Sequence, residues 1–173
     1  MGHEEHRREG RHPARVFIVT ASDTRGEAQD DSGRYLREAV AGAGHEVAGY
    51  RIVKDEPVQI RAVLEEAAAA GAAAVILNGG TGISPRDRTY EAVAGVLEKR
   101  LDGFGELFRA LSFQEIGSAA MLSRAVAGVW RGLALFSVPG STAAVRLAWE
   151  RLIAPELGHL LHEIQKGGGA HPR

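Results

Sequence analysis

The chain of 173 residues reads as one α/β domain on a mainly parallel sheet with helices over both faces. Three observations predict this. Strand-like and helix-like segments alternate over residues 15–77. The strand-like segments are short, β-branched apolar runs of the kind buried on both faces. The connections between them are short and polar.

The first strand is "RVFIVTA" (Arg15–Ala21), and "DSGRYLREAVAGAG" is a helix capped by Asp31 or Ser32 and ending at Gly42 or Gly44. "EVAGYRIV" (Glu46–Val53) is the second strand. "PVQIRAVLEEAAAA" is a helix with Pro57 in its first turn, where a missing N–H costs little. "AAVIL" is the third strand, and "TYEAVAGVLEKRL" reads as one continuous helix. "GFGELFRALSFQEIG" follows with Phe104, Leu107, Phe108 and Leu111 at helical spacing. Two further β-like segments, "SRAVAGVW" and "GLALFSV", precede a closing helical stretch, "PGSTAAVRLAWERLIAPELGHLLHEI". There Pro155 starts a new helical segment or kinks the old one. A single domain over 15–165 is expected, with polar tails at 1–14 and 166–173.

Composition narrows the chemistry. A net charge of −1 gives no electrostatic case for nucleic acid or an anionic membrane surface. Without cysteine there is no disulfide, thiolate metal site or cysteine nucleophile. The run "AAAAGAAAVIL" is far shorter than the ~20 residues of a membrane span. The start of the chain carries no apolar signal region, so a cytoplasmic location is expected.

In open α/β sheets, ligands lie beyond the carboxyl ends of the strands. The loops at those ends bring up Ser22, Asp23, Asp30, Asp31, Asp55, residues 79–87, and Pro139, Gly140 and Ser141. In "NGGTGISPRD" no lysine completes a P-loop, and Pro85 breaks the dinucleotide pattern. Gly79, Gly80, Thr81 and Gly82 can still offer backbone N–H groups to an anion, with the Thr81 and Ser84 hydroxyls as further donors. On spacing alone, a strand-to-helix turn without a ligand fits equally well. Asp87 has three readings: a helix cap through Thr89, a pair with Arg86 or Arg88, or a metal ligand. A carboxylate beside phosphates makes sense when a hard cation bridges them, and Asp55 is the candidate partner for Mg²⁺. Ser141 or Thr142 can cap the last helix. His159 and His162 read as a surface pair, and Trp130 and Trp149 as core or subunit interface. A flavin or nicotinamide oxidoreductase lacks its fingerprint here.

Four segments, "GGTGISPRDRTYEA", "GFGELFRALSFQEIG", "LSRAVAGV" and "PGSTAAVRLAWERLIAPEL", resemble the MoaB/MogA family of molybdenum cofactor biosynthesis proteins, the second half being closer to the MoaB branch. The resemblance implies a three-layer α/β/α fold with a mixed, mostly parallel sheet, assembled as a trimer or hexamer. It also implies binding of molybdopterin and, in active members, its adenylylation with Mg-ATP. Carried over by motif, Gly79, Gly80, Thr81 and Gly82 would meet the phosphates. Asp55 and Asp87 match acidic positions associated with Mg-ATP, and Pro139, Gly140 and Ser141 match a loop that helps hold the pterin. Ser22, Asp23 and Ser112 match positions near the same pocket. The alternative within this resemblance is a molybdopterin-binding or scaffold protein without catalysis.

Overall fold

The apolar runs become the interior of a six-stranded sheet in the computed structural model, which describes residues 12–166. The chain runs β1 (Arg15–Ala21), α1 (Asp31–Gly42), β2 (Glu46–Val53), α2 (Pro57–Ala69), β3 (Ala74–Asn78), α3 (Thr89–Val96) and β4 (Lys99–Arg100). It continues through α4 (Asp102–Ile116), β5 (Val126–Trp130), β6 (Leu133–Val138), α5 (Thr142–Ala148) and α6 (Ala154–Gln165). Except for their ends at 12–14 and 166, the expected tails lie outside the described residues. Ala14 is buried, and its N–H donates to His45 Nδ1 at 3.1 Å. Burial holds the His45 pKa below its ordinary value, which favours the neutral, accepting imidazole.

The strand order is β2-β1-β3-β6-β5-β4. β2, β1, β3 and β6 pair in parallel, whereas β5 and β4 are antiparallel. The sheet is therefore mixed and mostly parallel. β3 and β6 are buried along their whole length, and β1 is buried beyond Arg15. Side chains alternate between faces, as the pleat requires. Ile18, Ile76 and Phe136 pack with Leu36, Phe108, Val145 and Leu157 from α1, α4, α5 and α6. Phe17, Val75 and Leu135 pack instead with Ile60, Leu64 and Val93 from α2 and α3. Those clusters make the three layers.

Several local readings change. The helix expected over "TYEAVAGVLEKRL" stops at Val96, and Leu97 turns to extended backbone. Lys99 and Arg100 then form the edge strand β4 against β5. Exposed charged side chains suit that edge, because they discourage pairing with another chain. The cap of α1 is Asp30, whose carboxylate accepts from Gly33 N–H, rather than Asp31 or Ser32. β5 and β6 are joined by Arg131 and Gly132, both at positive φ (48° and 78°), the geometry of a tight hairpin turn. Arg131 is steadied by Glu98 and Glu65 and lies over the Trp130 ring. Before Pro155, the backbone widens into a π turn over Trp149–Ile153. Proline has no N–H for the ladder and crowds the carbonyl four residues earlier, and the wider turn absorbs both. A new helix, α6, begins at Ala154 with Pro155 in its first turn, so the proline starts a new helical segment, the first of its two expected roles. No helix among the described residues is long and apolar enough to cross a membrane.

Leu64 is fully buried between α2 and the sheet. Leu64→Ala is expected to lower stability by about 2–5 kcal/mol, read as a lower midpoint in urea unfolding.

Candidate active site

The chain switches direction across the sheet between β1 and β3, and the polar loops gather at that carboxyl edge. Ser22 N–H donates to Val53 O at 2.9 Å, tying the ends of β1 and β2. Ser22 Oγ accepts from the N–H groups of Thr24 and Arg25, which folds the following turn. Gly79 (φ 95°) packs directly on Ala21: a Cβ there would stand 2.2 Å from the Ala21 carbonyl oxygen. Its N–H donates to Val138 O at 3.1 Å. On its other side lies Gly140, where a Cβ would stand 3.0 Å from Gly79 Cα. The loops after β1, β3 and β6 therefore touch. Pro139 leads into Gly140, whose carbonyl accepts from Ser32 Oγ at 2.9 Å and Arg25 Nη1 at 3.1 Å. Ser141 Oγ caps α5 by accepting from Ala144 N–H.

The glycine loop itself is open. The N–H groups of Gly80, Thr81, Gly82 and Ile83 have no hydrogen-bond partner among the described residues. Free backbone donors in succession are what an anion cradle requires. Asp55 Oδ1 accepts from Arg88 N–H at 3.0 Å and from the Thr89 hydroxyl at 2.8 Å. A carboxylate from the β2 loop thus caps α3, whose own N-cap residue, Arg88, supplies no side-chain acceptor. Asp55 Oδ2 accepts no hydrogen bond among the described residues and faces Gly80, where a Cβ would lie 2.5 Å from it. Asp87 Oδ2 accepts from Ser84 N–H at 3.1 Å and lies 2.6 Å from where a Gly82 Cβ would be. Two carboxylates flank one glycine loop, each with an oxygen that accepts no hydrogen bond among the described residues.

This geometry answers the sequence questions about Asp87 only in part. It does not cap Thr89, because Asp55 does. Nor does it pair with its neighbours: Arg86 pairs with Asp23, and Arg88 Nε donates to Pro85 O. The Arg86 guanidinium, helped by the Asp55 N–H, holds the Asp23 carboxyl below the usual range. Ser112 is buried within α4 and has no hydrogen bond to these loops. His159 lies beside Glu156 and Glu163, away from the glycine loop. A groove of about 320 Å³, lined by Asp55, Glu56, Pro57, Val58, Arg86 and Arg88, opens beside the glycine loop.

No group of three or more His, Cys, Asp or Glu side chains that could hold a metal is present among the described residues. Asp55 and Asp87 each keep one carboxylate oxygen without a hydrogen bond among the described residues, the donor type a hard ion such as Mg²⁺ takes. Sequence reasoning passed over Arg124, although it lies in the quoted "LSRAVAGV". Its Nε donates to Thr81 O at 2.8 Å and its Nη2 to Gly82 O at 2.6 Å. Ser32 and Arg25 were likewise not singled out as supports of Gly140, and a spacing signal for them is absent.

The fold and its loops define the class: an open α/β protein with polar loops gathered at the carboxyl ends of its parallel strands. A sequence profile described as "Probable molybdopterin binding domain" matches residues 15–159. A protein of Halalkalibacterium halodurans named molybdenum cofactor biosynthesis protein B is 55% identical over 96% of this chain and 99% of its own. A crystal structure of a molybdenum cofactor biosynthesis protein B superposes with a TM-score of 0.86 at 50% identity, covering 90% of this chain and 98% of that one. A tungsten cofactor synthesizing MoaB from Pyrococcus furiosus gives 0.83 at 38% identity, covering 88% and 97%. The chain belongs to the MoaB/MogA family of molybdenum cofactor biosynthesis proteins, on its MoaB-like side.

Asp55 carries a cap and a charge, and two substitutions separate them. Asp55→Asn keeps an acceptor for Arg88 and Thr89 and is expected to stay near the parent stability. Asp55→Ala removes it and is expected to lose about 1–2 kcal/mol in denaturant unfolding.

Proposed function

We propose that this protein acts in molybdenum cofactor biosynthesis by binding molybdopterin and adenylylating its terminal phosphate with Mg-ATP. The observation that carries the reading is the open 79–82 loop with an unbonded carboxylate oxygen on either side. Membership of the family supports the substrate, since the matching domain is described by molybdopterin binding.

The chemistry asks for little beyond what these residues offer. The pterin phosphate is ionised at neutral pH and is itself the nucleophile. One of its oxygens bonds to the α-phosphorus of ATP as the bond from that phosphorus to the bridging oxygen breaks, and pyrophosphate leaves. No general base is required, so a histidine or cysteine is not missed. The difficulty is bringing two anions together in line, a matter of positioning and charge neutralisation. The free N–H groups of Gly80, Thr81, Gly82 and Ile83 bind phosphate oxygens. Asp55 and Asp87 would hold Mg²⁺, which would supply positive charge to offset that of the phosphates. Pro139, Gly140 and Ser141, braced by Ser32 and Arg25, border the pterin, with Ser22, Asp23 and Ser112 assigned nearby by motif.

Purified protein given ATP, Mg²⁺ and molybdopterin is expected to release pyrophosphate and form the adenylylated pterin, and Asp87→Asn is expected to abolish this. Absence of product where a MogA control is active overturns the enzyme reading. A non-catalytic binding or scaffold protein is the second reading, favoured by the structural work Asp55 already does as a cap. Calorimetry separates the two, because only the enzyme needs to bind Mg-ATP.

We also propose a homo-oligomer, trimer or hexamer. Phe113, Ile116, Met121 and Leu122 are exposed along α4 and the following turn. An apolar groove of about 800 Å³, including Leu107, Phe136, Leu152 and Leu160, lies between α4 and α6. Exposed apolar surface of this extent marks an interface. Light scattering after size exclusion is expected to give a trimer or hexamer for the parent and a smaller species for Phe113→Asp. A monomeric parent overturns the assignment.

A further inference from the structure

Arg124 is joined to the glycine loop by hydrogen bonds that nothing in the proposed reaction yet uses. It lies in the short segment between the turn Gly117–Leu122 and β5, far from residues 79–82 in sequence. Its Nε donates to Thr81 O at 2.8 Å and its Nη2 to Gly82 O at 2.6 Å. The rest of the guanidinium is occupied by Glu91 in the first turn of α3, which accepts from Nη1 at 2.5 Å and Nη2 at 3.3 Å. The plane lies over the Tyr90 ring, 4.7 Å from its centroid. Arg124 pulls the Glu91 carboxyl below its ordinary pKa, so the pair stays charged at neutral pH.

The two carbonyls held by Arg124 belong to the peptide units whose N–H groups are those of Gly82 and Ile83. In a trans peptide the C=O and N–H point in opposite directions. Fixing Thr81 O and Gly82 O towards Arg124 therefore aims both N–H groups away from it. Those are donors without a partner among the described residues. Glycine at 80 and 82 leaves the backbone free to rotate, and Gly80 sits at φ 64°. Without an external clamp these peptide planes would turn, and the donors would lose their common direction. A cation on the carbonyl side also polarises each peptide towards stronger donation from its N–H.

We infer that Arg124 is the positioning residue of this loop, setting the Gly82 and Ile83 N–H groups for phosphate while never touching the ligand. Glu91 is its counter-charge: it holds the guanidinium in plane and cancels its field. Arg124 therefore contributes orientation more than attraction, and charge alone at this position does not suffice. A lysine keeps the charge, but its ammonium is a point donor and cannot reproduce the planar fork across two successive carbonyls. The inference rests on the reading that the 79–82 loop binds phosphate.

Arg124→Lys is the test, with Glu91→Gln beside it, in the full chain. Amide order parameters from NMR relaxation report on the clamp with no ligand present. At Gly82 and Ile83 they are expected to fall from about 0.85 to below about 0.6 in Arg124→Lys. Values that stay at the parent level overturn the clamp. Mg-ATP affinity by calorimetry, compared at equal folded fraction, is expected to fall about tenfold or more in Arg124→Lys and less in Glu91→Gln, which keeps the fork. An Arg124→Lys affinity equal to the parent's also overturns the positioning role, since a retained charge would then be enough. A parent that binds neither Mg-ATP nor pyrophosphate overturns the phosphate reading, and with it the role in ligand binding. A general loss of stability with unchanged affinity per folded molecule reduces Arg124 to a structural residue.

Discussion

The contact on which the site depends is the backbone packing at Gly79. The Ala21 carbonyl presses against one side of its Cα and Gly140 against the other, and no side chain fits between. Because β1, β3 and β6 are parallel neighbours, their carboxyl ends are already level. The Gly79 contact then draws their loops within van der Waals distance. A residue with a Cβ at 79 would clash with the Ala21 carbonyl and force the β1 and β3 loops apart. It would also face the left-handed backbone penalty, since φ is 95°. The loops are one surface because this point is bare.

Asp55 does structural work with one carboxylate oxygen and leaves the other for the proposed chemistry. One oxygen closes the N-terminus of α3, and the other is left facing the glycine loop. The helix end therefore satisfies one side of a buried carboxylate, and its other oxygen is left beside the unbonded N–H groups of the loop. Asp87, more open to solvent, closes its own turn through Ser84 and lies against Gly82.

Much of this was legible in the residues. The parallel half of the sheet follows from apolar runs alternating with amphipathic helices, and the glycine loop announced itself by composition at a strand end. Lys99 and Arg100 were not legible as a strand. Two exposed charged residues carry no period, and their extended shape comes from pairing with β5. Capping by Asp87 was one of three open readings because capping is usually local, whereas the carboxylate that caps α3, Asp55, arrives from another loop. Arg124 was hidden for a related reason. Its partners are carbonyl oxygens, which every residue has, so no side-chain pattern at 81 or 82 points to it. The strand-end loops and the resemblance to a family both pointed to the candidate site; the hydrogen bonds show what braces it.

β6 is the last strand in sequence and yet sits inside the sheet, between β3 and β5. A chain leaving the ribosome can pair β1, β2 and β3 early, through short crossovers. Until β6 arrives, however, β3 is an edge with its ladder open, and Gly79 lacks both Val138 and Gly140. Closing that long loop is the entropically expensive step of folding, and the rate depends on such distant pairings. The loop surface that carries the candidate site is consequently among the last parts to form. A truncated product ending before β6 would display a long apolar edge and no finished loop, which makes it a substrate for chaperones and proteases instead of a partly active protein.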